Sequence, residues 1–93
     1  MDFLVRLAVY ALLKREAHTP SSLETALSDL GLTVNSADLT HYLQRQHLED
    51  KTLHMLMGEA GRSYQLTALG QQKYAALCGH WREVRGKLDA LLD

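Results

Sequence analysis

The sequence has almost no excess charge of either sign. Its 93 residues include ten lysines and arginines against eleven aspartates and glutamates, for a formal net charge of −1. A domain that binds nucleic acid mainly through phosphate contacts is usually basic, so composition alone argues mildly against DNA as a ligand. With 46% hydrophobic and 23% charged residues, the chain has the composition of one small globular domain.

The sequence also contains only one cysteine, and it predicts neither a signal peptide nor a membrane-spanning segment. Cys78 is the only cysteine, so no disulfide can form within the chain, and we expect a reducing, cytoplasmic environment. The apolar stretch MDFLVRLAVYALL contains Asp2 and Arg6 but neither a basic start nor a small-residue cleavage site, so it does not predict a signal peptide. It is also too short to cross a bilayer, and no membrane contact is expected.

Motifs for catalysis and metal binding are missing as well. We find no nucleophile elbow, phosphate-binding glycine loop, H-E-x-x-H motif or convincing pair of carboxylates, so neither an enzyme nor a cofactor is expected. Cys78 and His80 fall on opposite faces of a helix, and the spacing of His41, His47 and His54 matches no zinc motif. No metal site is therefore predicted, although a cluster formed across a dimer stays open.

The stretch HTPSSLETALSDLG predicts a short helix, the second in the chain. Two starts are possible, namely Thr19 as the cap with Pro20 in the first position, or a capping box of Ser21 and Glu24. The helix should end at Gly31 in the left-handed conformation. Its apolar stripe consists of Leu23, Leu27 and Leu30.

A third helix, over residues 36–47, follows after a few residues, and such a pair is typical of a helix-turn-helix. Asn35 is its predicted cap. The side chains expected on its inner face are Leu39, Tyr42 and Leu43. Those expected on its outer face are Thr40, His41, Gln44 and Arg45.

The period then changes from helical to alternating. The runs LHMLM and RSYQLT on either side of GEAG predict a β-hairpin. Leu53, Met55 and Met57 fall on one face of the first run, and Tyr64 and Leu66 share one face of the second. We expect Met55 and Met57 to fill the core beneath the hairpin.

The first and last helices point to a dimer. Residues 3–15 are apolar on nearly every side, and such a helix must be buried on more than one side. Thr67 is the predicted cap of the last helix, which runs to about Leu92 and, at about 25 residues, measures ~37 Å. Its heptad seam consists of Tyr74, Leu77, Trp81, Val84, Leu88 and Leu91. We expect this seam to pack on a second copy; for Trp81 and Tyr74, an aromatic ligand slot is the alternative to plain packing.

The order helix, helix, helix, hairpin, long helix is that of a winged helix-turn-helix, a mostly α fold with a small β-hairpin (α+β). The segments YLQRQHLEDKTL, GRSYQLTALGQQ and WREVRGKLDALL resemble those of small bacterial and phage winged-helix regulators, most nearly the PadR-like group. The second of these is similar to that group's R-K-x-Y-x-L-T-x-x-G passage from wing to last helix. The resemblance implies a homodimeric DNA-binding transcription regulator, with residues 1–70 as the winged-helix domain and residues 71–93 as the dimerisation helix.

The resemblance also implies where DNA would bind. The third helix would enter the major groove, where Gln44 can pair with adenine and Arg45 with guanine or a phosphate. Backbone amides at the start of a helix can bind phosphate, and Lys51 and Arg62 flank the hairpin. The predicted DNA-binding residues are Ser36, Ala37, Thr40, His41, Gln44, Arg45, Lys51 and Arg62.

The charge of this region leaves an alternative function open. Residues 35–66 contain three basic and four acidic side chains, so one protomer alone should bind DNA weakly, and a dimer would double the contacts. A winged-helix protein-interaction module that does not bind DNA fits the same charge. A third possibility is a ligand- or metal-responsive switch with its sensor at the dimer interface.

Overall fold

Four helices and one hairpin make up the fold in the computed structural model, which describes residues 1–93. The elements are α1 (Phe3–Arg15), α2 (Pro20–Asp29), α3 (Ser36–Leu48), β1 (Leu53–Gly58), β2 (Gly61–Leu66) and α4 (Ala68–Leu92). Strands β1 and β2 form one two-stranded antiparallel sheet. This order confirms the predicted winged helix-turn-helix fold. None of the helices combines the length and the apolar character that a bilayer crossing requires.

The hydrophobic core lies between α1, the helix-turn-helix and the base of the hairpin. Its buried members are Val5, Val9, Tyr10, Leu13, Leu23, Leu27, Leu39, Leu43, Leu53, Tyr64 and Leu66. The expected place of Leu30 in the stripe of α2 is wrong, since this side chain is 60% exposed. Helix α2 ends at Asp29 and Leu30 is its C-cap, so the side chain leaves the buried stripe. Gly31 follows with the expected positive φ of 81°.

Side-chain caps fix where the helices begin. Thr19 accepts a hydrogen bond from the backbone N–H of Ser22 (3.1 Å), with Pro20 in the first turn, so the Thr19 start is confirmed and the capping box is not used. Asn35 caps α3, as predicted, by accepting from the N–H groups of Ala37 (2.9 Å) and Asp38 (3.1 Å). Each cap satisfies donors that the first helical turn would leave unpaired.

The hairpin projects from the core, and its burial falls toward its tip. In its register Leu53 pairs with Leu66, Met55 with Tyr64, and Met57 with Arg62. Tyr64 is 1% exposed, whereas Met57 is 70% exposed, so the expected core role of Met57 is wrong. The strands extend beyond the helices, so no helix side chain covers Met57 near the tip of the hairpin. Met55 is half-buried and packs on the core as expected.

Helix α4 begins in the core and ends outside it. Tyr74 and Leu77 pack against the core, and the Phe3 ring of α1 meets the His80 ring edge-on at 5.0 Å. Beyond this point exposure rises, to 46% at Leu88 and 81% at Leu91. The molecule therefore measures 50 Å along its longest axis but only 20 Å along its shortest.

A tight junction connects the hairpin to α4. The Thr52 carbonyl accepts a hydrogen bond from the N–H of Thr67 (3.0 Å). The Thr67 hydroxyl accepts from the N–H of Gly70 (3.0 Å) and donates to the Lys51 carbonyl (2.8 Å). A Cβ placed on Gly70 would lie 2.0 Å from the Thr52 carbonyl oxygen, which no real side chain tolerates. Glycine is therefore required at this position.

We predict that Gly70→Ala destabilises the protein by about 2 kcal/mol or more, because the new methyl group forces the Thr52 backbone away. Gly79→Ala is the matched control. It lies in the same helix, and its new methyl group would meet no atom within 4 Å, so it should stabilise by about 0.5–1 kcal/mol through helix propensity. Urea unfolding of both variants measures the difference, and equal stabilities would contradict the junction.

Candidate nucleic-acid interface

Helix α3 lies at the surface with one face anchored in the core. Leu39 and Leu43 are fully buried and hold that face. On the other side His41 and Arg45 are exposed, while Thr40 and Gln44 are half-buried. The four side chains predicted to face outward thus lie along one accessible strip, with Gln44 on the side nearest the hairpin.

The start of α3 is already well supplied with hydrogen bonds. The Ala37 amide is bonded to the Asn35 side chain, and the Ser36 hydroxyl donates to the Glu24 carboxylate at 2.7 Å. A phosphate at Ser36 and Ala37, as the sequence predicts, would have to compete with the cap and approach the negative charge of Glu24.

A groove separates α3 from the hairpin. It has a volume of about 270 Å³ and is lined by Gln44, His47, Leu48, Met55, Arg62 and Tyr64. The structure therefore brings two predicted DNA-binding residues, Gln44 and Arg62, to one site. Lys51 lines a separate cavity on the far side of His47, together with His54 and Thr67.

The positive charge of this surface is partly neutralised. The Arg45 Nε lies 3.6 Å from a Glu49 carboxylate oxygen one helical turn later, and both side chains are largely exposed. Such a pair contributes little to stability in water, so Arg45 remains able to exchange Glu49 for another anion. Lys51 and Arg62 form no ion pair within 4 Å.

A buried polar network behind α3 connects it to α1 and α4. The Gln46 side-chain oxygen accepts from the Tyr10 hydroxyl and from Lys73 Nζ (2.8 Å), and its nitrogen donates to Asp50 (2.6 Å). The Tyr10 hydroxyl also lies 2.7 Å from the Thr52 hydroxyl. Gln46 and Thr52 are 5% and 3% exposed, so these bonds replace water almost completely.

Sequence reasoning missed this network, although one signal for it was present. Gln46 stands three residues after Leu43 and continues the inward stripe of α3, and a polar residue in such a place requires a buried partner. The partners Tyr10 and Lys73 are 36 and 27 residues away. Their identity could not be read from local spacing.

Burial perturbs three titratable groups of this region. Removal from water lowers the pKa of Lys73, and the nearby Asp50 carboxylate partly offsets this. Burial likewise raises the pKa of Tyr10 and of Tyr42. The Tyr42 hydroxyl is buried close to that of Tyr10 but forms no hydrogen bond of normal length and angle.

The seam residues of α4 lie along one side of the helix. Tyr74, Leu77, Trp81 and Val84 are half-buried, while Leu88 and Leu91 are exposed. No three histidine, cysteine, aspartate or glutamate side chains come together in a way that could hold a metal ion.

The fold is shared with solved transcription regulators. A PadR-like transcription factor from Bacteroides fragilis is 20% identical over 95% of this chain and 89% of its own, with a TM-score of 0.74. A transcriptional regulator from Clostridium thermocellum is 16% identical over 96% of this chain and 90% of its own, with a TM-score of 0.82. A PadR family transcriptional regulator from Eggerthella lenta is 21% identical over 97% of this chain and 81% of its own, with a TM-score of 0.78.

These similarities confirm the resemblance to PadR-like regulators at the level of the fold, over nearly the whole chain. Comparison of the sequence with protein-family models and with curated proteins gives no match.

We predict that Tyr10→Phe and Tyr42→Phe have opposite effects on stability. Tyr10→Phe should cost about 1–2 kcal/mol, because it removes one hydrogen-bond partner of both Gln46 and Thr52 at a place where water can hardly replace it. Tyr42→Phe removes a buried hydroxyl that forms no hydrogen bond of normal geometry, so it should cost nothing or stabilise by up to about 1 kcal/mol. Urea unfolding at neutral pH tests both, and a larger loss for Tyr42→Phe would contradict the network.

The raised pKa values of Tyr10 and Tyr42 also predict how the stability of the protein changes at alkaline pH. A tyrosine whose pKa is raised by folding holds its proton longer in the folded state, so stability falls as pH rises above about 10. Lys73, whose pKa is lowered by burial, has the opposite effect, since stability rises with pH while its ammonium group loses its proton in the folded state first. Comparison with Tyr42→Phe isolates the tyrosine: this variant should lose less stability than the parent between about pH 9 and about pH 11.

Proposed function

We propose that this protein is a DNA-binding transcription regulator that acts as a homodimer. Helix α3 enters the major groove and the hairpin lies beside the backbone. The observation that carries the proposal is the accessible polar strip of α3, set next to the hairpin in a fold shared with solved transcription regulators. We take residues 1–70 as the DNA-binding unit and residues 71–93 as the dimerisation helix. We place the regulator in the cytoplasm and assign it no catalytic role.

The exposed strip supplies the chemistry for reading bases. Gln44 can form two hydrogen bonds with adenine, and Arg45 can do so with guanine once it leaves Glu49. Thr40 and His41 add further donors and acceptors, while Lys51 and Arg62 approach the phosphates. Because one protomer carries so few cations, useful affinity depends on two protomers binding together.

The dimer is proposed from the unpartnered end of α4. Leu88 and Leu91 are exposed to 46% and 81%, and they continue the seam that starts at Tyr74. Leu4 of α1, 47% exposed, adds apolar surface that a second copy could cover. A two-fold dimer would present its α3 helices to half-sites ~34 Å apart, or a multiple of this.

A protein-interaction module is the second candidate function. Leu48, Leu56 and Met57 are 62%, 42% and 70% exposed on α3 and the hairpin, a more apolar surface than phosphates require. Such side chains together with the acidic balance of residues 35–66 suit a protein partner. This candidate replaces the first if the protein binds no duplex DNA at low salt.

We predict that Arg45→Ala weakens binding to a duplex selected from random sequence by about tenfold per half-site. It should also lower the slope of log affinity against log salt by about one per protomer. Arg85→Ala is the matched control, since Arg85 pairs with Asp89 one turn later (3.9 Å) at similar exposure in α4. Fluorescence anisotropy across a salt series measures both, and equal affinities would remove Arg45 from the interface.

We predict that Leu88→Asp converts the dimer to monomer, because it places a charge in the apolar seam. Leu69→Asp makes the same change in the same helix at nearly the same exposure, 48% against 46%, but off the seam. Light scattering should therefore give half the mass for Leu88→Asp and the parent mass for Leu69→Asp. A parent mass for Leu88→Asp would show that the seam does not join two copies.

A further inference from the structure

The proposed DNA-binding surface carries few permanently charged basic side chains with which to bind phosphates. Residues 35–66 contain three basic and four acidic side chains, and Arg45 is paired with Glu49. The same range also contains three histidines, His41, His47 and His54. Imidazole is the side chain that ordinarily gains its charge between pH 5 and 8, so a histidine placed against a phosphate would add positive charge only as the pH falls.

Among the three, His47 is held in a defined position. Its Nδ1 lies 2.9 Å from the Leu53 carbonyl oxygen, and its ring meets the Tyr64 ring edge-on at 6.4 Å. A carbonyl oxygen only accepts, so Nδ1 carries the proton of the neutral ring. The second nitrogen, Nε2, forms no hydrogen bond within the chain.

His47 shares the α3–hairpin groove with two other polar side chains. The groove, about 270 Å³, is lined by Gln44 and His47 of α3 and by Arg62 of β2. An amide, a guanidinium and an imidazolium all donate hydrogen bonds to phosphate oxygens. No carboxylate lines the groove, so nothing within it neutralises Arg62 or a protonated His47.

We propose that this groove binds a backbone phosphate of duplex DNA, and that His47 donates a hydrogen bond to it through Nε2 when the ring is protonated. The inference rests on the proposed function and deepens it, because it adds a residue and a condition to the interface. When neutral, Nε2 offers a lone pair to the phosphate oxygen, which is unfavourable. When protonated, it supplies both a donor and a charge.

The groups around His47 leave a phosphate as the natural counter-charge. The titratable side chains of the hairpin and the preceding loop that line the two cavities beside it are Arg62, His54, Lys51 and Tyr64, none of them an anion at neutral pH. Proton uptake by His47 and phosphate binding should therefore favour each other. Affinity for DNA should rise as the pH falls.

The test measures anisotropy of a labelled mixed-sequence duplex of about 25 base pairs at low salt, from about pH 8 to about pH 6. The parent should bind about tenfold more tightly at the lower pH. His47→Asn keeps a donor near the Leu53 carbonyl but cannot titrate, so most of this gain should be lost. His54→Asn removes an exposed histidine outside the groove and should keep it.

The outcomes separate this inference from the proposed function. A parent that binds no duplex at either pH ends both. A parent that binds, with His47→Asn showing the same gain as the parent, overturns the groove and leaves the regulator standing. If His47→Asn does not fold, Arg62→Gln substitutes for it: affinity should fall at both pH values and the salt slope should drop by about one per protomer.

A final arm distinguishes the backbone from free phosphate. The ring signals of His47, followed by NMR, should shift when the duplex is added. They should stay in place with inorganic phosphate at the same phosphate concentration. An equal shift with inorganic phosphate would assign the groove to a free anion and overturn the proposal.

Discussion

The close approach of Gly70 to the Thr52 carbonyl determines how the hairpin, α3 and α4 meet. Because residue 70 has no side chain, the Thr52 carbonyl can accept the Thr67 amide while Thr67 also caps α4. The same junction fixes Lys51, whose carbonyl accepts the Thr67 hydroxyl and whose φ of 59° turns the chain from α3 into the hairpin. The Y-x-L-T-x-x-G pattern therefore has a physical basis, with buried Tyr64 and Leu66 leading into the cap and then into the glycine.

Next to this junction, buried hydrogen bonds hold α3, the proposed DNA-binding helix, and α4, the proposed dimerisation helix, in a fixed relative position. Gln46, on the inner face of α3, accepts from Lys73 of α4 and from Tyr10 of α1. The helix proposed to read DNA is thus bonded to the helix proposed to join two copies. Since a buried polar group without its partner costs about 1–3 kcal/mol, a shift of α4 relative to α3 would be opposed. The spacing between the two reading helices would then follow from the packing of α4 alone.

Sequence patterns predicted the fold well because its signals are local. Asn35, Thr19 and Thr67 cap helices next to them, and the alternation around GEAG determines a hairpin whose strands are adjacent in sequence. The failures arose where an element extended past the core, as at Leu30 and Met57, whose patterns are apolar but whose positions have nothing to cover them. Spacing along the chain also could not reveal the partners of Gln46 or the shared groove of Gln44 and Arg62, because both depend on how distant segments pack.

The proposed interface combines a helix, α3, that is well anchored in the core with very little permanent positive charge. For this reason the geometry of α3 favours DNA binding, whereas the net charge of the chain argues mildly against it. The central claim is that two α3 helices of one dimer occupy successive major grooves. Hydroxyl-radical footprinting on a duplex selected from random sequence tests it most directly. We expect two protected backbone segments on one face of the duplex, centred about 34 Å apart or a multiple of it. A single protected segment, or no protection at low salt, would contradict it.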